Sequence, residues 1–195
     1  MKKVSSGMVW IAGLSLLIQT AHAELPHVGT LLPAVTVQRG GEVILNAEEM
    51  TRQPWQPSWP QSRPQLIIHV AGRLAAKQQL NSVVTRLEQA QWVTKSVTMT
   101  TIVNTDDSIW GSQPFVEHSI LNSKKHSPTS RFILDSSGVV AHQWQLQPES
   151  AAIVATTGQG QVIFFQQAPF SAADIQRLLD RLQYALKSGL NSSFH

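Results

Sequence analysis

The distribution of apolar residues in the middle of the chain predicts a buried strand, a helix and a second strand. Residues 66–70 (LIIHV) form a nearly continuous apolar run, which is typical of a strand covered on both faces. Four apolar side chains then recur at helical spacing and would form one stripe on a helix: Leu80, Val83, Val84 and Leu87. A second β-type run covers residues 97–103. We therefore predict a βαβ unit whose first strand lies centrally in the sheet.

Glycine-containing turns between apolar runs predict hairpins before and after this unit. The paired runs are 34–38 with 43–45, 131–134 with 139–144, and 151–156 with 161–165. Glycine can adopt the positive φ that tight hairpins need. The last turn, residues 157–160 (TGQG), is not a phosphate-binding loop, because it lacks a third glycine and does not open a helix.

Capping residues predict helices in the flanking parts of the chain. Asn46, with Glu49 three residues later, resembles the start of a short helix. A weaker amphipathic pattern predicts a helix over 113–125. Ser171 with Asp174 predicts the start of a C-terminal helix. The apolar stripe of that helix is Ile175, Leu178, Leu179, Leu182 and Leu186.

A proline-rich segment, residues 54–64, carries Trp55 and Trp59. Each proline lacks a backbone donor and restricts the residue before it, so this segment is predicted to be irregular and extended. The two tryptophans could form a binding platform. Because a loop of this length needs apolar anchors, we interpret them instead as packing against the domain.

The first 23 residues have the parts of a signal peptide. Lys2 and Lys3 precede an apolar run over residues 8–18, and residues 21–23 (AHA) supply small side chains at the cleavage site. The apolar run is shorter than the roughly 20 residues that span a bilayer, and no later run approaches that length. We therefore expect export to the periplasm, removal of this segment, and a single soluble domain over 24–195 without a membrane span. The alternative is that the segment is retained as an N-terminal anchor.

Charge and composition exclude several classes of function. The chain has 15 Lys and Arg against 12 Asp and Glu, and loss of Lys2 and Lys3 would leave 13 basic residues. Nucleic-acid binding normally requires clustered Lys and Arg, and the nearest approach is Lys124-Lys125, so no nucleic-acid partner is expected. The chain contains no cysteine. Thiol chemistry, disulfide exchange and thiolate metal sites are therefore impossible.

The histidines and serines lack the spacing of the usual metal-binding and catalytic motifs. No pair of histidines forms H-x-H or H-E-x-x-H, and no serine lies in G-x-S-x-G. We therefore expect no metal and no cofactor. His69 lies within the apolar run, and we interpret it as a hydrogen-bonded core histidine rather than a ligand or base.

Polar residues follow the two predicted parallel strands where each strand ends. Arg73 follows the first strand, and Asn104, Asp106 and Asp107 follow the second. Ligands of open α/β sheets bind at the carboxyl ends of the strands, so these side chains would share one edge. Because arginine at a helix N-terminus opposes the helix dipole, we predict an ion pair between Arg73 and one of the two aspartates. The pair would either brace the structure or belong to a ligand site.

Four strings of residues resemble the YtfJ family of periplasmic proteins of Gram-negative bacteria. They are residues 66–77 (LIIHVAGRLAAK), 100–108 (TTIVNTDDS), 132–138 (FILDSSG) and 144–146 (WQL). The resemblance extends over nearly all of the chain that follows the signal segment.

The wider resemblance is to thioredoxin-like proteins, nearest the peroxiredoxin and thiol-disulfide reductase branch. It implies a thioredoxin-like α/β fold, a mixed sheet with helices on both faces. On that pattern Arg73 and Ala76 stand where the two cysteines of a C-x-x-C motif would be, and Lys77 follows them. Ser150 precedes the strand at Ala151, where such folds place a cis-proline. The resemblance therefore implies that the fold is kept without its redox chemistry.

Two hypotheses about function follow. The first is a non-catalytic, redox-inactive binding or interaction domain whose partner is an unknown periplasmic protein or small ligand. The second is an enzyme of unknown class. Both use the same candidate binding residues, which are His69, Arg73, Lys77, Asn104, Asp106 and Asp107. A deep pocket with converging polar groups would favour the enzyme, while an edge that is flat or filled by salt bridges would favour the interaction domain.

Overall fold

A mixed sheet organises the part of the chain that the computed structural model describes, residues 23–46, 49–109, 111 and 113–192. The strands in these ranges are β1 (Val37–Asn46), β2 (Glu49–Trp55), β3 (Gln65–Ala71), β4 (Thr98–Asn104), β5 (Arg131–Asp135), β6 (Ala151–Thr156) and β7 (Val162–Gln167). Their order in the sheet is β2-β1-β5-β4-β3-β6-β7. The helices are α1 (Leu74–Gln79), α2 (Asn81–Gln89), α3 (Gln91–Ser96), α4 (Gln113–His126), α5 (Val139–Gln143) and α6 (Ala172–Ser192). The predicted signal segment, apart from Ala23, lies outside the described residues.

Strand β3 lies at the centre of the core, as its apolar run predicts. All seven of its residues are buried, because β4 pairs with it in parallel and β6 pairs with it antiparallel. The predicted βαβ unit is therefore confirmed. Its connection is three short helices, α1 to α3, rather than one. Leu80, Val83 and Leu87 are buried, whereas Val84 is 42% exposed and does not belong to the buried stripe.

Helices cover both faces of the sheet, which confirms the predicted fold class. On one face, α1 to α4 and α6 pack over strand residues such as Leu66 and Ile68. On the other face, Val140 of α5 and the fully buried Trp144 pack with Ile67 and with the segment that precedes β1. Because successive residues of a strand point to opposite faces, β3 contributes to both cores.

The C-terminal hairpin and helix form as predicted. β6 and β7 pair antiparallel around the glycine turn. The Asp174 N–H donates to Ser171 Oγ (3.1 Å) and the Ser171 N–H donates to the Asp174 carboxylate (2.8 Å), which satisfies two backbone donors at the start of α6. Four residues of its predicted stripe are buried: Ile175, Leu178, Leu179 and Leu182. No helix in the described ranges is long and apolar enough to cross a membrane.

Both tryptophans of the proline-rich segment pack against the rest of the chain, which confirms their interpretation. Trp55 ends β2 and is 3% exposed. Trp59 packs, partly buried, against the core that contains Trp144. Gly160 has a φ of +84°, and a Cβ there would lie 2.6 Å from the Trp59 ring, so this turn requires glycine.

The predicted hairpin at Gly40-Gly41 and the predicted helix at Asn46 are both wrong. β1 continues through both glycines with a bulge, and β2 begins at Glu49, which pairs with Asn46. A Cβ at Gly41 would lie 2.1 Å from the carbonyl oxygen of Gln53. The glycines therefore permit a close approach of neighbouring strands instead of reversing the chain.

The predicted strand over 139–144 is also wrong, because α5 forms there. The fully buried carboxylate of Asp135 accepts hydrogen bonds from the N–H groups of Val139 (3.1 Å) and Val140 (2.8 Å). These are the first donors of α5, which have no partner within the helix. A carboxylate at the end of β5 therefore starts a helix where the apolar pattern predicts a strand.

Candidate functional site

Three segments meet at one edge of the sheet. They are the turn after β3 with helix α1 (72–79), the loop after β4 (104–109) and the loop before β6 (147–151), and we call them together the carboxyl edge. β3 and β4 both end here, since they are parallel, and the antiparallel β6 begins beside β3. A Cβ at Gly72 would lie 2.9 Å from the Cβ of Ser108. Glycine therefore allows the turn after β3 to approach the loop after β4.

Arg73 forms ion pairs with two carboxylates that come from the two other loops. Its Nε donates to Oδ1 of Asp107 at 2.9 Å, and its Nη2 lies 3.1 Å from Oε1 of Glu149. The backbone N–H of Glu149 donates in turn to Oδ2 of Asp107. We call these three residues the ion triad. The predicted ion pair between Arg73 and an aspartate is confirmed, and the aspartate is Asp107.

Asn104 shapes the loop that carries Asp107. Its side chain is buried, and its Oδ1 accepts hydrogen bonds from the N–H groups of Asp106 (3.1 Å) and Asp107 (3.2 Å). Ser108 Oγ donates to the carbonyl of Thr105 at 2.7 Å. Such bonds between side chains and nearby backbone hold tight turns. Asn104 therefore positions Asp107 and does not itself face solvent.

Glu149 and Gln79 also belong to the carboxyl edge, and neither was predicted from the sequence. Glu149 has a φ of +57°, which is uncommon for a residue with a side chain. Oε1 of Gln79 accepts from the Ala151 N–H (3.1 Å) and from the Ser150 hydroxyl (3.3 Å), which fastens the end of α1 to the start of β6. The contact of Glu149 with Arg73 and that of Gln79 with Ala151 both require β6 to lie beside β3. The only sequence signal for Glu149 was an acidic residue just before a predicted strand.

His69 is enclosed on the sheet face that α5 covers, the same face as Ile67. The prediction that it is hydrogen-bonded is wrong, because neither ring nitrogen has a hydrogen-bond partner in the part of the chain that the structure describes. Burial lowers the pKa of the imidazole to about 4, and the negative charge of Asp107 opposes that shift. His69 is therefore neutral near pH 7.

Lys77 and Asp106, which were predicted for the same site, lie at its exposed margin. Lys77 is one turn along α1 from Arg73. Both side chains are exposed, and neither makes an ion pair or a side-chain hydrogen bond within the described ranges. Of the six predicted residues, the structure thus connects Arg73, Asp107 and Asn104, encloses His69 and leaves these two in solvent.

Two exposed apolar side chains adjoin the ion triad. Leu74 directly follows Arg73 and is 70% exposed, and Ile109 comes two residues after Asp107 and is 59% exposed. Neither was predicted from the sequence, because a single apolar residue beside a charged one has no periodic pattern that would indicate an exposed apolar surface. The carboxyl edge therefore combines paired charges with exposed apolar surface.

The ion triad bridges the loops at the carboxyl edge, and two surface depressions of the described residues lie away from it. One, of about 270 Å³, is lined by residues 126–130 and the end of α3, and another, of about 160 Å³, lies between residues 34–36 and α5. Within the described ranges, no three or more His, Asp or Glu side chains are grouped so that they could hold a metal ion.

The chain matches a family model described as "Bacterial protein of unknown function (YtfJ_HI0045)" over residues 27–185. It is 33% identical over 172 residues to the uncharacterized protein YtfJ of Escherichia coli K12, covering 88% of this chain and 94% of that protein. It is 30% identical over 148 residues to an uncharacterized protein of Haemophilus influenzae Rd, covering 76% of this chain and 80% of that protein.

Solved structures share the fold at low sequence identity. A putative thiol:disulfide interchange protein DsbE from Chlorobium tepidum gives a TM-score of 0.53 at 12% identity, over 83% of this chain and 99% of that one. The reduced 2-Cys peroxiredoxin of Plasmodium vivax also gives 0.53 at 12% identity, over 82% and 98%. These likenesses confirm the predicted thioredoxin-like fold. With the family match, they establish that this cysteine-free chain belongs to the YtfJ family and has a thioredoxin-like fold.

Proposed function

We propose that this protein acts in the periplasm as a redox-inactive, non-catalytic interaction domain that binds a partner protein through its carboxyl edge. The observation that carries the proposal is the ion triad, which bridges the three loops of that edge. The N-terminal segment supports the location, since its charge, apolar run and small residues fit an export signal.

The residues at the turn after β3 support a role without redox chemistry. Thioredoxin-like redox chemistry needs a reactive thiolate. On the thioredoxin-like pattern, Arg73 and Ala76 occupy the positions of the two cysteines, and the chain has no cysteine elsewhere. A guanidinium remains protonated in proteins and is not a nucleophile. The Arg73 guanidinium is instead engaged in holding Asp107 and Glu149.

The surface of the carboxyl edge favours a protein over a small ligand. Small ligands bind in concave pockets that enclose most of their surface. This edge is bridged by the ion triad and presents Leu74 and Ile109 to solvent. Apolar side chains bordered by polar groups are typical of protein interaction surfaces.

The alternative is an enzyme that uses polar groups around Arg73 and Asp107, and one observation speaks for it. His69 is buried, and neither ring nitrogen has a hydrogen-bond partner among the described residues. The negative charge of Asp107 acts on the pKa of its imidazole. A general base must reach the proton that it removes. Because His69 is 3% exposed, catalysis would require the edge to open. The interaction domain requires no such opening and is the favoured proposal.

Site-specific crosslinking in cells tests the proposal. A photo-reactive amino acid replaces Leu74 in the full chain, and a matched control replaces Tyr184 on α6, since both side chains are 70% exposed. We expect the protein in the periplasmic fraction, with Glu24 as its first residue, and discrete light-dependent adducts at position 74 that are absent at position 184. Introducing Arg73→Ala should change the yield of the adducts at position 74, because it releases Glu149 and alters the charge of the edge.

Two results would contradict the proposal. The same set of adducts at both positions, or none at position 74, would remove the carboxyl edge as an interaction surface. A chain that stays in the cytoplasm would refute the periplasmic location, and one that reaches the periplasm with its N-terminal segment would refute the removal of that segment.

A further inference from the structure

We infer that the partner contacts the carboxyl edge with a basic and apolar segment, in which Lys or Arg side chains stand beside Leu-like side chains. The inference rests on the proposed function and adds the chemistry of the partner to it. It follows from three properties of the edge: its charge, the availability of its carboxylates, and its exposed apolar side chains.

The carboxyl edge is acidic, although the chain as a whole is slightly basic. Its carboxylates are Asp106, Asp107 and Glu149, and its cations are Arg73 and Lys77. The whole chain, in contrast, has 15 Lys and Arg against 12 Asp and Glu. A local excess of carboxylates attracts a cationic partner and repels an anionic one.

Arg73 is occupied, while two of the carboxylates remain available to a partner. Asp106 is exposed and has no side-chain partner within the described ranges, and the Glu149 side chain is 63% exposed. Surface ion pairs contribute little stability, so Glu149 can exchange Arg73 for a partner's cation. Asp107 is only 18% exposed, and both of its oxygens accept hydrogen bonds. It keeps Arg73 in place while Glu149 exchanges.

Leu74 and Ile109 require an apolar contribution from the partner. They are 70% and 59% exposed and lie next to the ion triad, so covering them removes apolar surface from water. A purely hydrophilic cation would leave them exposed. Arg39, another exposed cation, lies on β1, which β5 and β4 separate from β3.

Three labelled peptides of equal length test the inference on the purified chain that lacks residues 1–23. Lys alternates with Leu in the first, Glu alternates with Leu in the second, and Lys alternates with Ser in the third. Fluorescence anisotropy measures binding at low and at high salt. We expect the Lys-Leu peptide to bind most tightly, and more weakly at high salt because its cations meet exposed carboxylates.

Matched variants locate the binding. Asp106→Lys and Leu74→Ser should each weaken binding of the Lys-Leu peptide by roughly tenfold. The first variant removes charge attraction, and the second removes apolar burial. Glu88→Lys on α2 and Tyr184→Ser on α6 change exposed residues away from the edge and should leave binding unchanged. Circular dichroism confirms that each variant is folded.

Every other outcome overturns the inference in an identifiable way. Tighter binding of the Glu-Leu peptide, weakened by Leu74→Ser, would refute the basic partner while keeping the edge as an interaction surface. Equal binding of the Lys-Ser peptide would refute the apolar contribution. Absence of binding, or an affinity that Asp106→Lys does not change, would refute the inference altogether. The proposed function fails by a different result, the lack of specific crosslinks at position 74.

Discussion

Replacing His69 should make the stability of the protein less sensitive to acid. The pKa of its imidazole falls from 6.5 to about 4 on folding, because burial disfavours the charged form. Between these values the unfolded chain binds a proton that the folded chain does not bind, so acidification favours unfolding. One unit of pKa is worth about 1.4 kcal/mol, so the fall of the pKa from 6.5 to about 4 corresponds to roughly 3 kcal/mol of folding stability. That stability is present above 6.5, the pKa of His69 in the unfolded chain, and is lost as the pH falls towards 4.

Urea unfolding of the wild type and of His69→Gln measures this contribution. We expect the free energy of unfolding of the wild type to fall by roughly 3 kcal/mol more than that of the variant between about pH 7 and about pH 4. Carboxyl groups with lowered pKa, such as Glu42 and Asp174, titrate in both proteins and cancel in the difference. His142→Gln removes an exposed histidine and is the matched control, whose pH dependence should follow the wild type.

Parallel pH curves for the wild type and His69→Gln would refute this reasoning. They would mean that the folded chain holds a proton on His69 as readily as the unfolded chain does. Titration of the His69 ring signal by NMR gives an independent answer. A midpoint near 4 is expected, and one near 6.5 would contradict the effect of burial.

Three further outcomes follow from contacts at the edge and in the core, and urea unfolding measures each. Arg73→Ala and Asp107→Ala should be non-additive, with a coupling of about 1 kcal/mol; full additivity would eliminate their ion pair as a source of stability. Gly72→Ala should cost about 1–3 kcal/mol because its Cβ would lie 2.9 Å from Ser108 Cβ, whereas Gly189→Ala on α6 meets nothing within 4 Å and should be neutral or stabilising. Equal losses at the two glycines would contradict the close approach at Gly72. Arg131→Met should cost about 3 kcal/mol at neutral pH, because Glu42 is 6% exposed and loses both of its bonds to Arg131. Those bonds hold the pKa of Glu42 below its usual value, so the loss of stability should shrink as the pH falls through that lowered pKa. A loss that does not depend on pH would contradict the stabilisation of the Glu42 carboxylate by Arg131.

The sequence predicts those elements whose own residues carry the signal. The continuous apolar run marks β3 as buried on both faces, and the cap at Ser171 with its stripe marks α6. The hairpin of β6 and β7 follows from apolar runs on either side of a glycine turn. An ion pair between Arg73 and one of the two aspartates could also be predicted, because consecutive parallel strands end at the same edge of a sheet, and the structure shows that the partner is Asp107.

Other features depend on residues far apart in sequence. The glycines of β1 resemble a turn until β2 and β5 are seen to pack against them. The run at 139–144 resembles a strand until the Asp135 carboxylate is seen to cap α5.

The sequence by itself determined the absence of thiol chemistry, the central strand and the candidate edge. The tertiary structure alone decided that Glu149 joins Arg73 and Asp107 and that Leu74 and Ile109 stay exposed. It also decided that His69 is buried with no hydrogen-bond partner among the residues that the structure describes. The physical reason is that periodicity and turn composition are local properties of the chain. Ion pairing, desolvation and exposure, in contrast, depend on which strands and loops pack side by side.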